Sequence, residues 1–88
     1  MVNVDGIWYS KKSDAPDLGS LTCVDKHGPN EMIRSYRGLQ TDFSKLPKYD
    51  KAGITKLSLM TGSECIMCDT GNLYLYSATN KTWNQITI

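Results

Sequence analysis

The sequence predicts an all-β fold: a small antiparallel domain of about six short strands, built from hairpins, with one long ordered loop. Three observations carry that reading. The C-terminal third, from Gly62 to Trp83, alternates apolar and polar residues between two tight turn clusters. A second pair of β-prone runs flanks the turn cluster His27-Gly28-Pro29-Asn30. Between them, from Gly38 to Gly53, no strand or helix period is sustained.

In chain order, Ile7-Trp8-Tyr9 is a short aromatic run with β preference. Ser10 to Asp17, with Lys11, Lys12, Ser13, Asp14 and Pro16, reads as a loop. Residues 19–37 form the first hairpin, with strands Leu21–Asp25 and Glu31–Tyr36. Residues 38–53 are a loop anchored by Phe43, Leu46 and Tyr49. One helical turn fits over Thr41–Leu46, and Pro47 turns Leu46 away from helix. Residues 54–88 complete the single domain 1–88 with a strand at Ile54–Met60 and a three-stranded meander.

In the meander, Asp69, Thr70 and Gly71 form the turn: Asp accepts from the backbone and Gly supplies positive φ. The register then sets Cys68 against Leu73, Met67 against Tyr74, Ile66 against Leu75, Cys65 against Tyr76 and Tyr76 against Trp83. One face carries Cys65, Met67, Tyr74, Tyr76 and Trp83, the other Ile66, Leu73, Leu75 and Ile86. Both are apolar, and a chain of 88 residues has little material to cover two faces. Either another molecule covers one of them, or the N-terminal hairpin and the middle loop cover one each.

Bulk composition narrows the function classes. The formal charge is +1 with both signs scattered, so the basic stripe of a nucleic-acid binder is missing. No run approaches the ~18–20 apolar residues of a membrane span, and the N-terminus lacks the basic start and apolar run of a secretory signal. Three cysteines, an odd number, argue against a disulfide framework and for free thiols in a reducing compartment.

Four constellations could carry chemistry. Asp69-Thr70-Gly71 is the tripeptide of short dimeric aspartic proteases, but a strand returns at once after Gly71, where those enzymes need a loop. Cys23, His27, Cys65 and Cys68 supply a zinc-like count of soft ligands. Cys65 and Cys68, three apart on a strand, would point to opposite faces, so small buried thiols at Cys23, Cys65 and Cys68 are the favoured reading over a metal site. His27, the one histidine, reads as a solvated turn residue, and Asn80-Lys81-Thr82 is a glycosylation tripeptide that also makes a common turn. The aromatics Trp8, Tyr9, Tyr74, Tyr76 and Trp83 could form a sugar platform or a protein interface.

The order Gly62-Ser63-x-Cys65, Asp69-Thr70-Gly71, Tyr74-x-Tyr76 and Lys81-Thr82-Trp83 resembles small virion-associated proteins of tailed bacteriophages. Upstream, Tyr36-Arg37-Gly38-Leu39-Gln40-Thr41-Asp42 and Lys45-Leu46-Pro47-Lys48-Tyr49 resemble the loop preceding that unit in such proteins. The resemblance covers roughly the C-terminal half. It implies a non-enzymatic structural subunit (capsid decoration, head fibre or tail accessory), made in the host cytoplasm and located in the virion. Its partners would be virion proteins or copies of itself, with no nucleic acid, membrane or cofactor. The alternatives are a small carbohydrate- or protein-binding module using exposed aromatics and, more remotely, an aspartic protease using Asp69.

Overall fold

The computed structural model describes residues 1–86; the last two residues of the predicted domain lie outside them. The chain opens with a hairpin. β1 (Val2–Val4) pairs antiparallel with β2 (Ile7–Tyr9), Val4 opposite Ile7. Asp5 (φ 52°) and Gly6 (φ 87°) form the connection, a two-residue turn with both central φ angles positive. That geometry matches the twist of the flanking strands and favours Asp-Gly. β2 is the predicted strand; its pairing with β1 goes beyond the sequence expectation, and the Asp5-Gly6 turn is its physical reason.

The remaining strands form one five-stranded sheet in the order β3-β4-β5-β6-β7. β3 (Thr22–His27) and β4 (Ile33–Gly38) are the predicted first hairpin, joined across a single 3-10 turn at Pro29–Glu31. β5 (Glu64–Met67) lies beside β4 in parallel, with Tyr36 opposite Cys65 and Arg37 opposite Ile66. A parallel pair cannot be closed by a tight turn, so the irregular middle of the chain is a crossover between β4 and β5.

That crossover is longer than the predicted 38–53 loop, because the strand predicted at Ile54–Met60 does not form. Positive φ at Gly53 (75°) and Lys56 (57°) reverses the chain there, and a single antiparallel bridge joins Ala52 to Leu57. The apolar-polar alternation of this stretch therefore belongs to a tight turn and the segment leaving it, along which Leu59 is buried. The predicted helical turn is a 3-10 segment, Gln40–Lys45, and Leu46 leaves it for extended ψ (130°) ahead of Pro47.

β6 (Leu73–Ser77) and β7 (Thr82–Ile86) complete the meander, and Tyr76 opposes Trp83 as expected. The β5–β6 register differs from the predicted one: Cys65 opposes Tyr74 and Ile66 opposes Leu73. The turn runs from Cys68 to Asn72, with Gly71 N–H donating to Met67 C=O (2.7 Å). A slip of two residues keeps every side chain on its predicted face. Cys65, Met67, Tyr74, Tyr76 and Trp83 all join one buried cluster with Tyr36, Ile7, Tyr9, Leu46, Ala52 and Leu59. The N-terminal hairpin and the crossover thus both cover the same side of the sheet. The predicted first hairpin, residues 19–37, covers neither face: its strands β3 and β4 belong to the sheet itself, so the expectation that it and the middle loop cover one face each is not met.

Candidate docking surface

The uncovered side of the sheet is built by period-2 alternation on four adjacent strands. Across it runs a row in register: Arg37 of β4, Ile66 of β5, Leu73 of β6 and Ile86 of β7. The neighbouring row holds Ser35, Glu64, Leu75 and Asn84. Leu75 is 42% exposed and Ile86 38%, while Ile66 and Leu73 are half-buried. At the β4 end the face becomes polar, where Ser35 Oγ donates to Glu64 Oε1 (2.9 Å) and Arg37 Nη1 donates to Tyr36 C=O (2.9 Å). The result is an apolar stripe with a polar rim on one side, a composition suited to burial against another surface.

The aromatics predicted as interface residues are corrected by the fold. Tyr9, Tyr74, Tyr76 and Trp83 are buried within the chain's own core, and only Trp8, on the outer side of β2, is exposed (48%). Trp83 shows why. Its indole N–H donates to Pro47 C=O (2.8 Å), and its ring meets Tyr36 edge-on and Tyr76 at a tilt. Phe43 of the crossover stacks on Tyr74 with centroids 4.5 Å apart. The crossover covers these rings in place of a partner.

Asp69, Thr70 and Gly71 form the predicted turn, and the turn does more than reverse the chain. Asp69 Oδ1 accepts from Gln40 N–H (3.0 Å), and Thr70 Oγ1 and Asn72 Nδ2 both donate to Gln40 Oε1. Gln40 Nε2 in turn donates to Tyr74 Oη (2.9 Å). The turn clasps the start of the crossover through a glutamine that no local sequence signal marks.

The four soft ligands do not converge. Cys65 lies in the core against Met67 Sδ (3.9 Å), Cys68 is exposed beyond the end of β5, and Cys23 Sγ donates to Asp25 C=O (3.4 Å). Among the described residues no three His, Cys, Asp or Glu side chains come close enough to hold a metal ion. Burial pushes the Cys65 thiol up to about 11, so it stays protonated at neutral pH. His27 ends β3 at the surface, 3.6 Å from Asp25.

Two further features lie on the covered side. An open cleft of about 450 Å3 is lined by Tyr9, Ser10, Asp14, Tyr49, Lys51 and Lys56, among others. Arg34 is 1% exposed, with Nε donating to Glu31 C=O (3.2 Å) and no carboxylate within ion-pair distance among the described residues. Burial raises the phenols of Tyr9, Tyr36 and Tyr49, and the Arg34 cation opposes the rise in each. Compared with known proteins, the chain matches no family model, no curated protein and no solved structure.

Proposed function

We propose that this chain is a non-enzymatic structural subunit of a tailed-bacteriophage particle, a capsid decoration, head-fibre or tail-accessory protein, that acts by docking through the bare side of its sheet. The observation that carries the docking reading is the Ile66–Leu73–Ile86 row with Leu75 beside it, left open while both available covering segments lie on the other side. The phage part rests on the ordered motifs from Gly62 to Trp83 and their resemblance to small virion-associated proteins.

Mass spectrometry of particles purified from a host carrying the gene tests the reading. The chain is expected in fixed stoichiometry with a head or tail protein, and its absence from intact particles would sink the proposal. Leu75→Asp, on the exposed side but opposite Glu64, should lower the melting temperature by no more than a few degrees and prevent incorporation. The alternative, a small sugar- or protein-binding module, draws support from exposed Trp8 and from the cleft beginning at its neighbour Tyr9. Trp8 fluorescence that does not move on titration with host-wall oligosaccharides removes the sugar form of it.

A further inference from the structure

The two edges of the five-stranded sheet are built differently. β3 carries a bulge between Cys23 and Asp25, and Asp25, Lys26 and His27 line its second half. Bulges and charges are the usual protection of an edge against pairing with another strand. β7 has neither. Thr82-Trp83-Asn84-Gln85-Ile86 pairs with β6 in unbroken register, contains no charged residue and no proline, and among the described residues has no strand on its other side.

Backbone bonds identify which groups that edge leaves free. Tyr76 N–H donates to Ser63 C=O (2.8 Å) and Tyr76 C=O accepts from Gly62 N–H (3.2 Å), so Tyr76 turns both of its groups toward the β5 side. Asn72 C=O, accepting from Met67 N–H (2.9 Å), has the same sense. Alternation along β6 then turns Leu73, Leu75 and Ser77 toward β7. Their partners Ile86, Asn84 and Thr82 bond back to β6, which leaves the N–H and C=O of Trp83 and Gln85 directed outward. Among the described residues no backbone group pairs with them.

We propose that β7 is a self-docking edge. It pairs antiparallel with β7 of a second copy about a two-fold axis at Asn84, joining two five-stranded sheets into one. This rests on the docking reading above and names one partner for it. With the axis at Asn84, Trp83 faces Gln85 of the second copy, and each of the two such pairs makes two backbone hydrogen bonds. Those are the groups that point outward, so the register uses every free donor and acceptor of the pair. Thr82 meets Ile86, both on the bare side, and Asn84 meets its own copy, where the two side-chain amides can hydrogen-bond. An uncharged strand brings no like charges together across the axis, whereas Asp25, Lys26 and His27 of β3 would not be spared that in every register. The bare stripe of each copy then continues onto the other, which gives one apolar band reaching across the joint.

Sedimentation equilibrium of the full chain from micromolar to about millimolar concentration tests this. Wild type should reach the dimer mass and stop there; a monomer throughout, or a trimer or larger closed ring, overturns the proposal. Gln85→Pro removes an outward N–H and spares the β6–β7 ladder, since that N–H takes no part in it. It should keep the β-sheet circular dichroism and weaken dimerisation about tenfold or more, from the bonds lost in each copy. A Gln85→Pro variant that dimerises as wild type overturns the geometry. Should that variant not fold, Asn84→Lys sets like charges across the axis from an exposed position. It should weaken the dimer at low salt and recover at high salt, and no salt dependence counts against the axis. Leu75→Asp should still dimerise while losing particle incorporation. A monomeric wild type that enters particles overturns this edge and leaves the docking function standing.

Discussion

At the scale of single residues, two charges in this protein, one at the surface and one buried, are handled differently. Asp42 is held by Ser20, whose hydroxyl (2.5 Å) and backbone N–H (2.9 Å) both donate to Oδ2, and Lys45 lies 3.4 Å away. The Ser20 hydroxyl, then its N–H, then Lys45 hold the carboxyl below its ordinary range. A folded-state pKa below the unfolded one gives stability that is complete above the ordinary carboxylate range and is lost as pH falls through the depressed value. Asp42→Asn should therefore flatten the acid limb of a melting-temperature profile below about pH 4, and an unchanged limb would show that the Ser20 clasp contributes nothing. Arg34 is the opposite case, a buried cation with no carboxylate partner among the described residues. A buried ion replaced by an apolar side chain of similar volume is often neutral or stabilising. Arg34→Met is expected within about 1 kcal/mol of wild type or above it, while Arg34→Ala, which also leaves a cavity, should cost about 2 kcal/mol or more in urea unfolding. A Met variant as damaged as the Ala variant would mean that the guanidinium organises the phenols around it.

At the scale of elements, the N-terminal hairpin packs on the crossover through Ile7 and Tyr9 and, among the described residues, bonds to it through one backbone pair. Ile54 N–H donates to Trp8 C=O (2.8 Å), and Gly53, with φ at 75°, lies under β2. A Cβ on Gly53 would come within 2.3 Å of Ile7 Cγ2 and 2.6 Å of Trp8 O, the latter a backbone atom that cannot rotate away. Gly53→Ala should lower the melting temperature by well over the ~4–8 °C that 1 kcal/mol represents in a domain this size, because the strained φ adds to the collision. A loss of only a degree or two would show that the hairpin is loosely attached. These two elements also mark where sequence reading ends. Period-2 alternation in Cys65, Met67, Tyr74, Tyr76 and Trp83 suffices to assign faces, and the faces survive a two-residue slip of register. The turn at Gly53–Lys56 imitates the same alternation over Ile54–Met60, since the φ reversal at Lys56 carries no residue signature. Which face the crossover would cover was not legible either. It depends on the Gln40 clasp and the Trp83–Pro47 bond, contacts made across 29 to 36 residues of chain. The bare residues of the candidate surface could be named from sequence, but not that they, rather than the aromatics, would be the ones left open.

At the scale of the whole molecule, one sheet is covered on one side by segments with little regular structure of their own. A chain of 88 residues at ordinary stability per residue is held by about 4–13 kcal/mol in total. With a single thin core, each buried apolar side chain of the crossover is a large share of that total. Leu59 is the sharpest case: it is buried, its N–H bonds to Tyr49 C=O (3.1 Å), and it belongs to the cluster that includes Tyr36, Cys65, Met67 and Tyr74. Leu59→Ala should cost about 2–5 kcal/mol, enough to move the urea midpoint a long way toward zero. The apolar substitution Leu75→Ala on the bare side should cost little, since Leu75 has no cover to lose. Paired urea titrations of the two variants measure this asymmetry directly. Equal losses would mean that the exposed side is covered in the free protein after all, by self-association at the concentration used, and repeating the titration at a tenfold lower concentration would separate the two. The comparison therefore probes the one-sided architecture and the docking reading with the same measurement, because a side that nothing covers in the monomer is the side left for a neighbour.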